Sequence, residues 1–389
     1  MKTLRNFLTV LFLAVQALSV RAQVDATGID LVRNRMGQVA PIKICLTGFT
    51  GEVASTLDFD LYVMGFINVP KDQAQFVISG SNDANLTGRV LNPLGQPILS
   101  KAYSGASVRR QAHAFADDVV FAITGNKGIA QTRAAFKVGK GMGSEIYVAD
   151  FDGHNPQAVT HDNTIVAAPA MSGQKAIYYA SYKFGHPQIF FHDLTTGQRR
   201  AFARFNGDNF SPAISPDGSK VAMILNKDGW VDLYVANADG TDLKRLTKNS
   251  EDESSPCWSP DGRFICYATK VGGIRRLCKI SASGGEAQPI RTAGVSSPSE
   301  PDWSPDGKWI AFTAQMRDFQ ICVVPAEGGD ATVLVGGSDP SWSPNSRTLL
   351  FVRQDSSTPH LAVLDAPTKQ FKDVPRVSTG NNSQPSWAK

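Results

Sequence analysis

The chain has 389 residues, 42% apolar and 19% charged, with 34 glycines and 22 prolines; this excludes a disordered polymer and leaves room for two domains. The formal charge is +4, and with Lys2, Arg5 and Arg21 set aside, 36 basic residues face 35 acidic ones. A surface so nearly balanced argues against a role on DNA or RNA backbones, which need a concentrated basic face.

In chain order, residues 1–22 read as a cleavable signal peptide. Lys2 and Arg5 form a basic start, Phe7 to Leu18 is apolar apart from Thr9 and Gln16, and Val20-Arg21-Ala22 supplies small residues at the −3 and −1 positions. An uncleaved anchor is the alternative. No later segment approaches the ~18 continuous apolar residues of a membrane span, so the expected product is exported and soluble, and not itself membrane-spanning after cleavage. Residues 23–35, with Val24, Ile29, Leu31 and Val32 scattered among polar neighbours, form a flexible lead-in.

Residues 23–129 do not repeat and predict a small α/β domain. Ile42, Ile44 and Leu46 alternate as in a half-buried strand, and Val53, Leu57, Leu61 and Met64 share one helical face. Phe76–Ser79, Leu86–Leu91 and Ile98–Tyr103 read as further strands, the last two joined by an Asn92-Pro93-Leu94-Gly95 turn. Val108, Ala112, Phe115, Val119 and Ile123 then mark a helix with Ser107 as N-cap and Gly125 at its end.

Residues 130–389 repeat. Ser215-Pro216-Asp217-Gly218 recurs at 259–262 and 304–307, with a worn copy, Ser343-Pro344-Asn345-Ser346, and an earlier relative at 168–173. Proline presets φ for the turn and glycine takes the position that needs φ > 0, so each copy closes a tight hairpin. Four short strands per ~43 residues is the size of a propeller blade, and the segment holds six such units. The first unit has no inner strand of its own: Arg133–Val138 and Glu145–Ala149 read as middle strands. Gln384-Pro385-Ser386-Trp387 at the far end supplies the missing one and closes the ring. The predicted fold is thus a small α/β N-terminal domain followed by a six-bladed all-β propeller of WD40-like repeats.

The five cysteines, Cys45, Cys257, Cys266, Cys278 and Cys322, show no CxxC spacing and read as small buried hydrophobes; Cys266 and Cys278, on neighbouring strands of one hairpin, are close enough in sequence to be bridged. The six histidines lack HExxH or HxH spacing, Gly139 to Gly143 lacks the phosphate-loop spacing, and no GxSxG occurs. Neither a metal nor a cofactor is expected, and no catalytic residue is assigned. His113, inside the second helix, reads as structural.

The two parts, in this order behind a signal peptide, resemble the TolB family of bacterial periplasmic proteins. The blades carry Pro-x-Trp-Ser-Pro-Asp-Gly at 256–262 and 301–307. The junction carries Gly88-Arg89-Val90-Leu91, Arg110-Gln111-Ala112-His113 with Asp117, Thr124-Gly125-Asn126-Lys127-Gly128 and Thr132-Arg133. Residues 24–81 match only loosely. The resemblance implies a non-catalytic, monomeric scaffold of the Tol-Pal system. It would bind the peptidoglycan-associated lipoprotein Pal through one propeller face and a TolA-like inner-membrane protein through the N-terminal region, supporting envelope integrity, protein import and cell division. By motif position it points to Asp208, Ser211, Ser254 and Ser255, and the same loops contribute Glu253, Phe210 and Trp230 as candidate contacts. Two rivals remain open: an exported propeller hydrolase or lyase, which would gather acidic side chains around the channel, and a generic carbohydrate-binding propeller. On this reading Asp302 is the one acidic residue of the inner strands.

Overall fold

The computed structural model describes residues 36–389, apart from 84, 106, 204, 206, 228, 355–357 and 379. The signal peptide and the lead-in expected over 1–35 lie outside the described residues. Among the described residues no helix is long and apolar enough to cross a membrane.

The N-terminal part is a mixed five-stranded sheet with two helices. β1 (Ile42–Thr47) runs parallel to both β2 (Phe66–Asn68) and β3 (Phe76–Ser81). β4 (Leu86–Leu91) and β5 (Pro97–Tyr103) continue the sheet antiparallel. The short β2 was not expected: three residues with only Phe66 buried carry no alternation to read. Helix α1 (Gly51–Tyr62) buries Val53, Leu57 and Leu61 as its spacing requires. Helix α2 (Val108–Thr124) starts where the Ser107 hydroxyl accepts from the Arg110 N–H at 3.3 Å, and ends at Gly125 with φ 72°. Val108, expected on the apolar face, is instead exposed in the first turn. Phe115 lies against Gly88, where a Cβ would overlap its ring, so the helix approaches β4 only because that residue is glycine.

Six four-stranded antiparallel sheets follow, and the first is completed by the last strand of the chain. Asn382–Trp387 pairs with Arg133–Val138, which pairs with Glu145–Asp150 and then Gln157–Ala158. The hairpins are held as their sequence predicts. In blade 3 the Ser215 hydroxyl donates to Asp217 at 2.6 Å and accepts from the Lys220 N–H at 2.8 Å, while Gly218 sits at φ 72°. The contact with Ser215 and the backbone N–H of Ser219 hold the Asp217 carboxyl down to about 2. Blade 6 makes the same turn with Ser346 at φ 58° in place of glycine. Trp258, Trp303, Trp342 and Trp387 are buried at one strand position in successive blades.

The small domain packs on blades 1 and 6 through a continuous core that joins Leu57, Leu61, Phe66 and Phe115 to Phe151, Leu361, Val363, Val374 and Trp387. Polar contacts reinforce the junction: Gln370 donates to the Phe66 carbonyl at 3.1 Å, Lys372 pairs with Asp58 at 2.6 Å, and the Val39 N–H donates to the Pro367 carbonyl at 2.9 Å. Pro367 and Gln370 lie in the strand-three-to-four turn of blade 6 and Phe151 in that of blade 1, while Leu361 and Val374 lie towards the other end of blade 6.

All five cysteines are free thiols, four of them buried and Cys45 half-buried. The suggested Cys266–Cys278 bridge does not form. Cys266 faces Lys279 and Cys278 faces Tyr267, so the two thiols lie on opposite faces of the blade; the residue opposite Cys266 on its other neighbouring strand is Cys257.

Candidate functional site

The inner strands of the blades line a central channel of about 730 Å³. Each inner strand carries a one-residue bulge, where two of its residues face one on the next strand: 211 and 212 against 223 in blade 3, for example, and 300 and 301 against 312 in blade 5. At each bulge one residue adopts left-handed backbone: Ala168 (φ 49°), Ser211 (51°), Ser255 (51°), Glu300 (52°), Asp339 (53°) and Gln384 (52°). All six precede a proline, and all six line the channel on the side of the blade-joining loops. Left-handed geometry in non-glycine residues costs about 1–2 kcal/mol each and persists only where packing fixes it. Here it turns six side chains into one ring.

The long members of the ring reach round to the next blade. Glu300 accepts from the Asp339 N–H at 3.1 Å, and Gln384 accepts from the Ala168 N–H at 3.0 Å. A second tier lies deeper: Asp302 accepts from the Trp342 N–H at 2.6 Å, Ser341 from Trp387 at 3.0 Å, and Ser386 from Met171 at 2.9 Å. Asp302 also holds Lys389 at 2.6 Å. These contacts tie blades together around the axis.

Asp302 is therefore not the lone acid of the inner strands. The strands begin earlier than the sequence suggests, at Pro298 and Ser338, and bring Glu300 and Asp339 into the channel wall. Burial, then the neighbouring Glu300 charge and its hydrogen bond, push the Asp339 carboxyl well up. Glu300 is held by the Thr313 hydroxyl at 2.6 Å.

The sequence-predicted contacts fall into three groups. Ser211 and Ser255 belong to the ring, and Asp208, opposite Asn226, stands half-buried at the start of the same inner strand as Ser211. Ser254 is half-buried, its hydroxyl donating to the Ala268 carbonyl at 3.4 Å, while Trp230 is exposed on a strand-two-to-three loop. Phe210 and Glu253 point inward. Phe210 packs on the core between blades 3 and 4. Glu253 is buried and accepts from Asn249 at 2.8 Å and Thr247 at 3.1 Å, and burial raises its carboxyl. Glu253 is thus a loop anchor, and its charge in a loop sequence was misleading. The ring members Glu300, Asp339 and Gln384 were missed, although the residue before each inner-strand proline was a readable signal.

A second cluster lies where the small domain meets blade 1. Asp60 from α1 and His113 from α2 hydrogen-bond at 2.7 Å; Asp152 from the blade 1 turn pairs with Arg109 and lies 3.5 Å from His113 Nε2. Arg109 also meets Thr56 at 3.1 Å, Glu52 at 3.4 Å and His154 at 2.7 Å. Burial lifts the Asp60 carboxyl to about 7 despite the pull of His113. Burial lowers His113, but the Asp60 contact outweighs it and leaves the imidazole raised. For Asp152 the charges of His113 and Arg109 outweigh burial and lower the carboxyl. Asp60, His113 and Asp152 are the described residues whose donor atoms lie close enough together to hold an ion. Arg109 already engages Asp152, so a cation would have to displace a guanidinium, and the chemistry is that of a buried ion-pair network.

The model for the TolB β-propeller domain matches residues 121–389. The Tol-Pal system protein TolB of Bordetella pertussis is 32% identical over 190 residues, covering 48% of this chain and 43% of that protein. The Tol-Pal system protein TolB of Bordetella parapertussis matches to the same extent. The match thus spans less than half the length of these relatives. Among solved structures, TolB from Acinetobacter baumannii superposes with a TM-score of 0.81 at 20% identity, over 91% of this chain and 98% of that one. The putative TolB from Agrobacterium tumefaciens gives 0.54 at 19% identity, over 64% and 91%. At these identities the solved structures establish the fold alone.

Proposed function

This chain belongs to the TolB β-propeller family, and from that premise we propose that it is a non-catalytic scaffold of a Tol-Pal-like envelope complex. On this reading residues 1–22 direct export and are removed, 23–129 form the N-terminal domain with its tail, and 130–389 form the propeller, which works in the periplasm as a monomer. The propeller binds a Pal-like lipoprotein at the channel mouth through Asp208, Ser211, Ser254, Ser255 and Trp230. The N-terminal region engages a TolA-like inner-membrane protein, and together these contacts serve envelope integrity, protein import and division.

The observation that carries the reading is the six-membered left-handed ring, which frames the channel on the side of the blade-joining loops. Strained, pre-set side chains around a concave opening suit recognition of a partner's protruding segment. The test is capture by the purified protein from detergent-solubilised envelope of the source organism. The expected catch is an outer-membrane lipoprotein with a peptidoglycan-binding domain, and Asp208→Trp and Ser254→Trp should abolish it. Recovery of no such lipoprotein at moderate salt, or capture indifferent to both changes, would remove the scaffold reading.

The Glu300–Asp339 pair favours one other reading, a channel hydrolase. Two carboxyls in direct hydrogen-bond contact are closer than the ~5 Å that a two-carboxylate glycosidase needs. Hydrolysis of an envelope glycan or peptide that Glu300→Gln abolishes would establish it instead.

A further inference from the structure

Of the fifteen large apolar side chains exposed among the described residues, eight lie on the loops joining strands two and three of blades 1 to 5 or on the strand residues that flank them. One per blade suffices to trace the pattern: Met142 (69% exposed), Phe184 (49%), Trp230 (47%), Ile274 (59%) and Phe319 (43%). The strand directions bring all five loops out at one end of the propeller, the end that also carries the blade-joining loops. Exposed bases sit beside these tips: Lys140 near Met142, Lys183 before Phe184, Lys270 before Val271, Arg275 after Ile274, and Arg317 after Met316. Over residues 139–144, 182–187, 227–230, 270–275 and 315–319, six bases face two acids, while the chain beyond residue 22 is close to neutral.

We propose that this crown docks the propeller on a bilayer surface bearing anionic headgroups, the apolar tips entering the headgroup boundary and the flanking Lys and Arg meeting phosphates. The layout separates this occupant from a folded protein. Protein interfaces concentrate apolar area in a central patch depleted of lysine. Here the tips are spread round a rim, each next to a base, which is the pairing that interfacial membrane binding uses. The inference goes beyond partner binding: the channel mouth would take the lipoprotein while the rim touches the membrane that anchors it.

The test is sedimentation of the purified protein with lipid vesicles that contain no protein, so its failure leaves the partner reading intact. Vesicles of phosphatidylcholine with about 30% phosphatidylglycerol should pull the protein down at about 50 mM salt, phosphatidylcholine alone should not, and added salt should release it. Ile274→Asp and Phe319→Asp, at exposed tips, should each lower the bound fraction about fivefold or more, and Lys270→Glu with Arg275→Glu should do so on the anionic vesicles. Urea unfolding of each variant should match the parent, separating lost binding from lost fold. No sedimentation with anionic vesicles, or sedimentation unchanged by the tip substitutions, would overturn the proposal. So would tip variants that lose lipoprotein capture while the parent ignores vesicles, which would assign the crown to a protein partner.

Discussion

Arg109→Met should strongly weaken the joint between the small domain and the propeller. Arg109 is 9% exposed and Asp152 is 1% exposed, and the guanidinium is the positive group in direct contact with that carboxylate. Its removal leaves Asp152 with the His154 N–H at 3.1 Å and two imidazole nitrogens at longer range, His154 Nδ1 at 3.4 Å and His113 Nε2 at 3.5 Å. Stranding one partner of a buried pair costs about 3–5 kcal/mol, and His113 should offset part of this, so about 3 kcal/mol is expected. The Arg109–Glu52 contact adds little, since Glu52 is half-exposed. Urea unfolding followed by tryptophan emission, run as a double-mutant cycle with Asp152→Asn, measures the coupling directly. The double variant should be more stable than Arg109→Met alone, because the stranded charge is gone. A loss below about 1 kcal/mol for Arg109→Met, or strictly additive single changes, would refute the argument that this pair is buried and mutually dependent.

The same cluster sets a pH dependence. Between its ordinary value and about 7, folded Asp60 keeps a proton the unfolded chain has released; stability therefore falls as pH rises through that window and levels off above it. Raised His113 acts in the same direction, its contribution complete below its ordinary value and lost as pH climbs through the folded one. A slope of about 1 kcal/mol per pH unit from this site between pH 5 and 7 should be lost from urea titrations of Asp60→Asn, while the raised Asp339 and Glu253 carboxyls keep a residual slope of the same sign. Gly88→Ala should cost about 1–3 kcal/mol in the same assay, because the new methyl must displace the buried Phe115 ring. Trp387→Ala, at a side chain 2% exposed, should cost about 3–5 kcal/mol, and a change under about 1 kcal/mol would mean that the seam strand contributes little to closure.

The repeat and the closure were legible because their determinants are local. A Ser-Pro-Asp-Gly hairpin is specified by four adjacent residues, and the strand at Gln384–Trp387 declares itself by repeating the Pro340-Ser341-Trp342 pattern of an inner strand. The second helix was legible for the same reason, with its cap, stripe and terminating glycine all within one stretch. What could not be read was assembled from distant parts. Asp60, Arg109, His113 and Asp152 come from two helices and a blade turn, and no spacing relates them before the core brings the elements together. The ring was half legible: the recurring prolines were visible, but not that each preceding residue turns left-handed at a bulge. Glu253 shows the limit of charge as a guide, since a loop acid can be an internal hydrogen-bond acceptor as readily as a surface contact.

One consequence of this assembly is that the ring's closure and the domain joint share residues. Trp387 lies three positions after the ring member Gln384 on the inner strand of blade 1. Its N–H reaches Ser341 of blade 6 at 3.0 Å, and its indole donates to Thr132 at 2.8 Å, in the segment that leads out of α2. Its ring stacks 6.2 Å from Phe151, whose other neighbours are Phe59 of α1 at 5.9 Å and His113 of α2 at 5.8 Å. Phe151 and Asp152 are adjacent, so the apolar stack and the buried ion pair meet the small domain at one place. A protein whose ends must find each other late in folding would leave an open blade edge exposed. Here the last strand pairs with blade 1 beside the surface on which the small domain packs, so docking of that domain and closure of the ring stabilise each other through one continuous core.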